Sequence, residues 1–209
     1  MELLVVTLAR TAPQREAEGQ AQLRLLSETL RNAPGLLTVR SYTARAGGPS
    51  YVLLTTWEDE EAWQGARDHF DPARLLQSTP ALLAAPPEQL LMRYLWGYSR
   101  PSAQQGLATI YLAHVRPEQA EALQQRWLEL LRRQAIQPVL ASSFLARGAR
   151  EGVGERETRG LKAGSLFLSL LSWSGETDQE DFYADASFHS LILQLNNSGS
   201  LQTLRIDQP

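Results

Sequence analysis

His69 and His189 are the side chains best suited to general-base chemistry, because an unperturbed imidazole titrates near pH 6.5, at about 6.5, and can accept a proton from a weakly acidic substrate. Trp57, Trp63, Trp173 and Tyr183 are the matching candidates for the walls of a binding site, since indole and phenol rings offer wide apolar surfaces with one polar handle. Trp63 and His69, like Tyr183 and His189, are six residues apart, about 600° of helical rotation, so neither pair shares a helix face. Ala62, Ala66, His69 and Ala73 do share one, and so do Phe182, Ala186, His189 and Leu193. The same aromatics fit as core between a helix and a sheet. His69, close to Asp68 and Asp71, fits a solvated or capping role, whereas His189, beside Phe188, Leu191 and Ile192, is expected to be partly buried. His114 closes a strand and reads as structural. Glu58 to Glu61 cannot all face one ion from a helix, so a solvated helix start is expected there and no metal site.

The remaining composition removes most other chemistry. With no cysteine among 209 residues, disulfides, thiolate nucleophiles, cysteine-ligated zinc and iron–sulfur clusters are excluded. Twenty basic and 23 acidic residues leave a net charge of -3, without the basic surface that counterion release at nucleic acid requires. Nineteen of the basic residues are arginine, scattered rather than clustered. The chain has no phosphate loop, no GxSxG elbow and no HExxH pair. No uncharged run reaches the roughly 18 to 20 residues that span a bilayer, and Leu3 to Leu8 lack the flanks of a secretory signal, so a cytoplasmic protein with no membrane partner is expected.

The elements that must position these side chains occur twice. A shift of 104 residues lays Leu3 on Leu107, Leu8 on Leu112, Pro13 on Pro117, Leu26 on Leu130 and Pro34 on Pro138. Further on, a shift of 116 places Trp57 on Trp173, and one of 120 places Trp63 on Tyr183 and His69 on His189, the growth reflecting an insertion between Gly148 and Lys162. Hydrophobic periodicity predicts a strand from Leu3 to Ala9, a helix opened by Pro13 and carrying Leu23, Leu26 and Leu30, and strands around Val39 and from Tyr51 to Trp57 joined at Gly47-Gly48-Pro49. A helix to Phe70, another starting at Asp71-Pro72, and a strand from Gln89 to Trp96 follow. The second half repeats this order over Leu107–Ala113, Pro117–Gln134, Val139–Arg147, Ser165–Trp173, Thr177–Leu195 and Ser200–Asp207. Its last stretch is shorter, which predicts loss of the extra helix and makes the second half the expected degenerate one. Gly97 to Gly106 reads as a linker and Arg150 to Lys162 as an exposed loop, dividing the chain into domains 1–97 and 106–209.

Strand, helix, strand, strand, helix, strand is the ferredoxin-like order, an antiparallel four-stranded sheet with its helices on one face. The α+β class is therefore expected, two tandem ferredoxin-like units hiding their open faces in one eight-stranded intrachain barrel. Pro34-Gly35-Leu36, then Tyr51 to Thr56 leading into Trp57-Glu58 and Glu61-Ala62-Trp63, resembles the dimeric α+β barrel proteins of the antibiotic biosynthesis monooxygenase type, here as a two-repeat chain. The resemblance implies an aromatic-lined cavity between sheet and helices in each half. It also implies a small aromatic or apolar partner, and a range of activities from cofactor-free oxygenation of phenols or quinols to haem degradation or no chemistry. Cofactor-free oxygenation requires that the substrate be deprotonated and its anion held in a dry pocket, the roles assigned to the histidines and to the aromatic walls. No cofactor is expected. Haem-degrading members carry an amide near the end of the first strand, and neither Val5–Ala9 nor Thr109–Ala113 contains asparagine. The alternative to catalysis is a ligand-binding or interaction scaffold: an enzyme should enclose an aromatic cavity with a histidine or arginine pointing in, a scaffold should be packed. A further homodimer is allowed for.

Overall fold

The computed structural model describes the chain except for residues 45–49, 80, 102–106, 138, 151–165 and 208–209. Two compact units divide between Arg93 and Tyr94. The first holds β1 (Leu3–Ala9), α1 (Glu16–Leu30), β2 (Leu36–Ala44), β3 (Tyr51–Trp57), α2 (Glu60–Phe70), α3 (Pro72–Gln77) and the start of β4 (Glu88–Ser99). The second holds the rest of β4, β5 (Leu107–Val115), α4 (Pro117–Ile136), β6 (Ser142–Arg150), β7 (Leu166–Trp173), α5 (Glu176–Tyr183), α6 (Ala186–Ser198) and β8 (Gly199–Asp207). The strand order is β1-β3-β2-β8-β5-β7-β6-β4 in a closed barrel, so the two β-α-β-β-α-β repeats form one eight-stranded antiparallel ring.

In the first repeat β1 is central, antiparallel to β3 with Val5 opposite Thr55 and to β4 with Val5 opposite Leu91. Every residue of β1 and β3 is buried, as expected of strands covered on both faces, which explains their unbroken apolar reading. Helix α1 buries Gly19, Leu23, Leu26 and Leu30 at helical spacing, but it begins at Glu16 rather than at Pro13, after a turn in which Gln14 adopts φ 66°. Gly35 (φ 76°) takes the left-handed conformation between α1 and β2, where its carbonyl accepts from the Glu58 N–H at 2.9 Å. The Asp59 carboxylate caps α2 by accepting from the Ala62 N–H at 2.8 Å, so the acidic stretch is a helix start.

The second repeat follows the same plan, with β5 between β7 and β8. Strand β4 extends through Ser99, beyond the Gly97 boundary assigned to the linker, and beside β6 the Tyr94 ring lies 5.3 Å from that of Phe144. The stretch read as one helix from Thr177 to Leu195 is two, α5 and α6, broken at Ala184-Asp185. The break has a local cause: the Asp185 side chain accepts from the N–H groups of Ser187 and Phe188 at 2.7 and 3.3 Å, capping a new helix. No helix has been lost, and α6 with 13 residues is longer than α3 with 6. The glycine turn at 47–49 and the insertion loop expected up to Lys162 lie outside the described residues.

Candidate functional site

Alternation along β5 sends Thr109, Tyr111, Ala113 and Val115 to the helix side of the sheet, where Tyr111, Ala113 and Val115 join one buried cluster with Phe167, Leu171 and Trp173 of β7. Helix α5 delivers Phe182 and Tyr183 to this cluster at its last turn, and α6 delivers Phe188 at its first. The Tyr183 ring stands 5.5 Å from Trp173 and 5.4 Å from Phe188, and Phe188 stands 5.8 Å from Tyr111. Within these rings lies a knot of hydroxyls: Tyr111 donates to the Tyr183 oxygen at 3.2 Å, and Thr109 Oγ1 is 3.2 Å from the same atom. Trp173 and Phe182 are fully buried, whereas Tyr183 is partly exposed, so the cluster meets solvent at Tyr183.

Burial, then the neighbouring Tyr183, pushes the Tyr111 hydroxyl pKa up, while the Arg205 guanidinium pulls it down by less. Tyr111 therefore remains a protonated donor across the physiological range. Arg205 reaches this place through register, sitting opposite Thr109 on β8, and its side chain is exposed.

The equivalent positions in the first repeat carry different groups. Val5 and Thr7 stand where Thr109 and Tyr111 stand, and their β4 partners Leu91 and Gln89 replace Arg205 and Thr203. Gln89 donates to Asp71 at 2.8 Å and to Thr7 Oγ1 at 3.4 Å, while Asp71 caps α3 through the Ala73 N–H. All three side chains are buried and satisfied by one another. Trp57 and Trp63 are fully buried with ring centroids 5.1 Å apart, and the Trp57 indole donates to Thr55 Oγ1 at 3.1 Å.

The four aromatic candidates thus fall into two separate pairs, Trp57 with Trp63 and Trp173 with Tyr183, matched by the internal repeat. His69 and His189 are both exposed on their helices; His189 approaches the second aromatic cluster only through Phe188, ring to ring at 6.2 Å. The partial burial expected of His189 is not found. Thr109, Tyr111 and Arg205 were missed by the sequence reading, although strand alternation alone puts Thr109 and Tyr111 on the face that the helices cover.

Outside the cluster, a groove of about 480 Å³ separates α4 from α6, lined by Arg126, Arg133, Ser187 and Gln194 among others. Both of its arginines are engaged: Arg133 donates to Asp185 at 2.6 Å and Arg126 to Gln194, and buried Gln134 donates to the Asp185 carboxylate at 2.7 Å. Burial opposes the Asp185 charge, but the Ser187 and Phe188 N–H groups and Arg133 outweigh it, and the carboxyl titrates below the ordinary aspartate range. A carboxyl whose pKa is lower folded than unfolded contributes stability in full above about pH 4 and loses it as the pH falls through its folded pKa. Asp185→Asn is expected to flatten this acid limb, read as urea midpoints between pH 2 and 7; an unchanged pH profile would show that the clasp adds nothing.

Residues 3–71 match the family model of the antibiotic biosynthesis monooxygenases. No curated protein sequence matches the chain. Among solved structures the chain is similar to a candidate monooxygenase from Fusobacterium nucleatum at 9% identity and TM-score 0.75, covering 99% of this chain and 92% of that one. It is also similar to an anthrone oxidase-like protein at 9% identity and TM-score 0.72, covering 100% and 91%. A third similar structure, the haem-degrading enzyme of Listeria monocytogenes, is 13% identical with a TM-score of 0.55, both chains covered over 100%. Identities this low establish the shared fold. Among the described residues no helix is long and apolar enough to cross a membrane.

Proposed function

We propose that this tandem α+β barrel, whose residues 3–71 match the antibiotic biosynthesis monooxygenase model, binds a small aromatic molecule between the helices and sheet of its second repeat and oxidises it without a cofactor. One observation carries the reading: Thr109, Tyr111 and Tyr183 gather three hydroxyls inside a wall of aromatic rings, beside the charge of Arg205. A phenolic ligand takes the place of the Tyr183 ring, which swings outward from the end of α5. Tyr111 donates to the ligand oxygen, the ligand proton passes to solvent water at the Tyr183 edge, and Arg205 favours the resulting anion, lowering the barrier to electron transfer to dioxygen. In the overall change a ring methylene becomes a carbonyl; one atom of dioxygen enters the product and the other leaves as water with the two displaced hydrogens.

Because a structural neighbour is described as anthrone oxidase-like, anthrone is the probe. The wild-type chain is expected to bind it, read by tryptophan fluorescence under nitrogen, and to take up one dioxygen per molecule in air. Tyr111→Phe is expected to lower affinity about tenfold, one hydrogen bond's worth, without lowering the melting temperature by more than a few degrees. Failure of the wild type to bind would end the proposal.

A second reading, ligand binding without turnover, is favoured by the exposure of both histidines, which leaves the cluster without an imidazole base. Binding with no oxygen uptake would select it. His69→Ala and His189→Ala are expected to keep the wild-type melting temperature, and a loss of uptake in either one identifies it as the base.

A further inference from the structure

The groove between α4 and α6 lies outside the aromatic cluster and owes its lining to helical spacing. Arg126, Glu129, Leu130 and Arg133 follow one another at steps of three, one and three, which puts them on one face of α4. Leu191 and Gln194 of α6 form the opposite wall. Leu130 and Leu191, each 4% exposed, make an apolar floor, and the charged side chains stand above it in reach of solvent.

The charges on this face do not all cancel where they stand. Arg133 is neutralised by Asp185, 2.6 Å away. Arg126 crosses the groove to Gln194, whose amide oxygen accepts the hydrogen bond without supplying a charge. Glu129 makes no hydrogen bond or ion pair among the described residues. Arg126 and Glu129 are three residues apart, but with the cation nearer the helix N-terminus, which is the weaker order for a pair on a helix. One positive and one negative charge are thus left without an ionic partner, neighbours above a hydrophobic floor. The groove's volume of about 480 Å³ lies within the range of small-molecule sites.

We propose that this groove binds a free α-amino acid with an apolar side chain, its ammonium on Glu129, its carboxylate on Arg126 and its side chain on Leu130 and Leu191. The site is independent of the aromatic cluster and of any oxidation there. A peptide terminus, a fatty acid or an amine brings one of the two charges, whereas a free amino acid carries both on a single carbon. Binding asks for no repacking, because the groove is already open and both charged side chains are exposed.

The test is an NMR titration of the full chain with L-isoleucine, L-isoleucinamide and 3-methylpentanoate at about pH 6.5, below the α-amino pKa of about 8. The amide lacks the carboxylate and the acid lacks the ammonium. Wild type is expected to bind isoleucine about five- to tenfold more tightly than either analogue, the effect of one charge-assisted contact at a partly exposed site, with backbone resonances of α4 and α6 moving. Glu129→Gln is expected to abolish the preference over 3-methylpentanoate and keep that over isoleucinamide; Arg126→Gln is expected to do the reverse. Arg132→Gln, on the same helix but outside the groove lining, is expected to change neither. All three positions are exposed, so the variants are expected to keep the wild-type melting temperature. Equal binding of the three probes by wild type, or no binding of isoleucine at all, overturns the proposal. Loss of both preferences together in either variant, or in Arg132→Gln, overturns it too, the effect then being one of overall charge.

Discussion

Trp173→Ala is expected to destabilise the protein by about 3–5 kcal/mol, the range for deleting a buried tryptophan side chain. The ring has no solvent-exposed surface, and it sits at the centre of the second repeat's aromatic group, 5.6 Å from Phe182 and 5.5 Å from Tyr183 in edge-on geometry. Each such ring pair adds about 0.5–1.5 kcal/mol beyond the area it buries. The hole left by truncation opens between β7 and α5, and moving α5 to close it would displace Phe182 and Tyr183 from the same packed cluster. Urea denaturation followed by circular dichroism measures the loss. A change below about 1 kcal/mol would show that Trp173 lines space held for a ligand, and in that case adding anthrone must stabilise wild type more than the variant.

Gly199→Ala is expected to cost about 3 kcal/mol or more, at the upper end of what overpacking does, because the obstacle is backbone and cannot change rotamer. Gly199 opens β8 opposite Val115, and a β-carbon there would fall within the van der Waals envelope of the His114 carbonyl oxygen. To admit it, β8 must move away from β5 where α6 turns into the strand, taking the register that places Arg205 beside Thr109. The variant is therefore expected to lose stability and anthrone affinity together. Gly175→Ala is the control, since nothing lies within 4 Å of its β-carbon; equal behaviour of the two variants would refute the steric account.

How much of this was legible beforehand follows from the kind of signal each feature leaves. The ring of two repeats was readable because buried strands and amphipathic helices write their periods into the chain, and the paired offsets such as Leu3 with Leu107 survive divergence. Tryptophan and tyrosine announced the aromatic pairs by their size alone. The break between α5 and α6 was missed because Asp185 ends one helix and caps the next without proline or glycine, whereas Asp71-Pro72 declared the corresponding break openly. Arg205 was invisible because its relation to Tyr111 passes through the long-range register of β8 against β5, which no local pattern encodes. Histidine drew notice for its chemistry, but helix phase sets its exposure, and both helices bury their aromatic residues instead.

The closed trio of the first repeat has its own consequence. Thr7 and Asp71 both accept from Gln89 out of reach of water, so exchanging Gln89 takes a partner from both of the others, and substitutions within the trio should be strongly non-additive. Remodelling this end for a ligand therefore calls for concerted substitutions, whereas Tyr183, at the solvent edge of the second repeat, is open to change on its own.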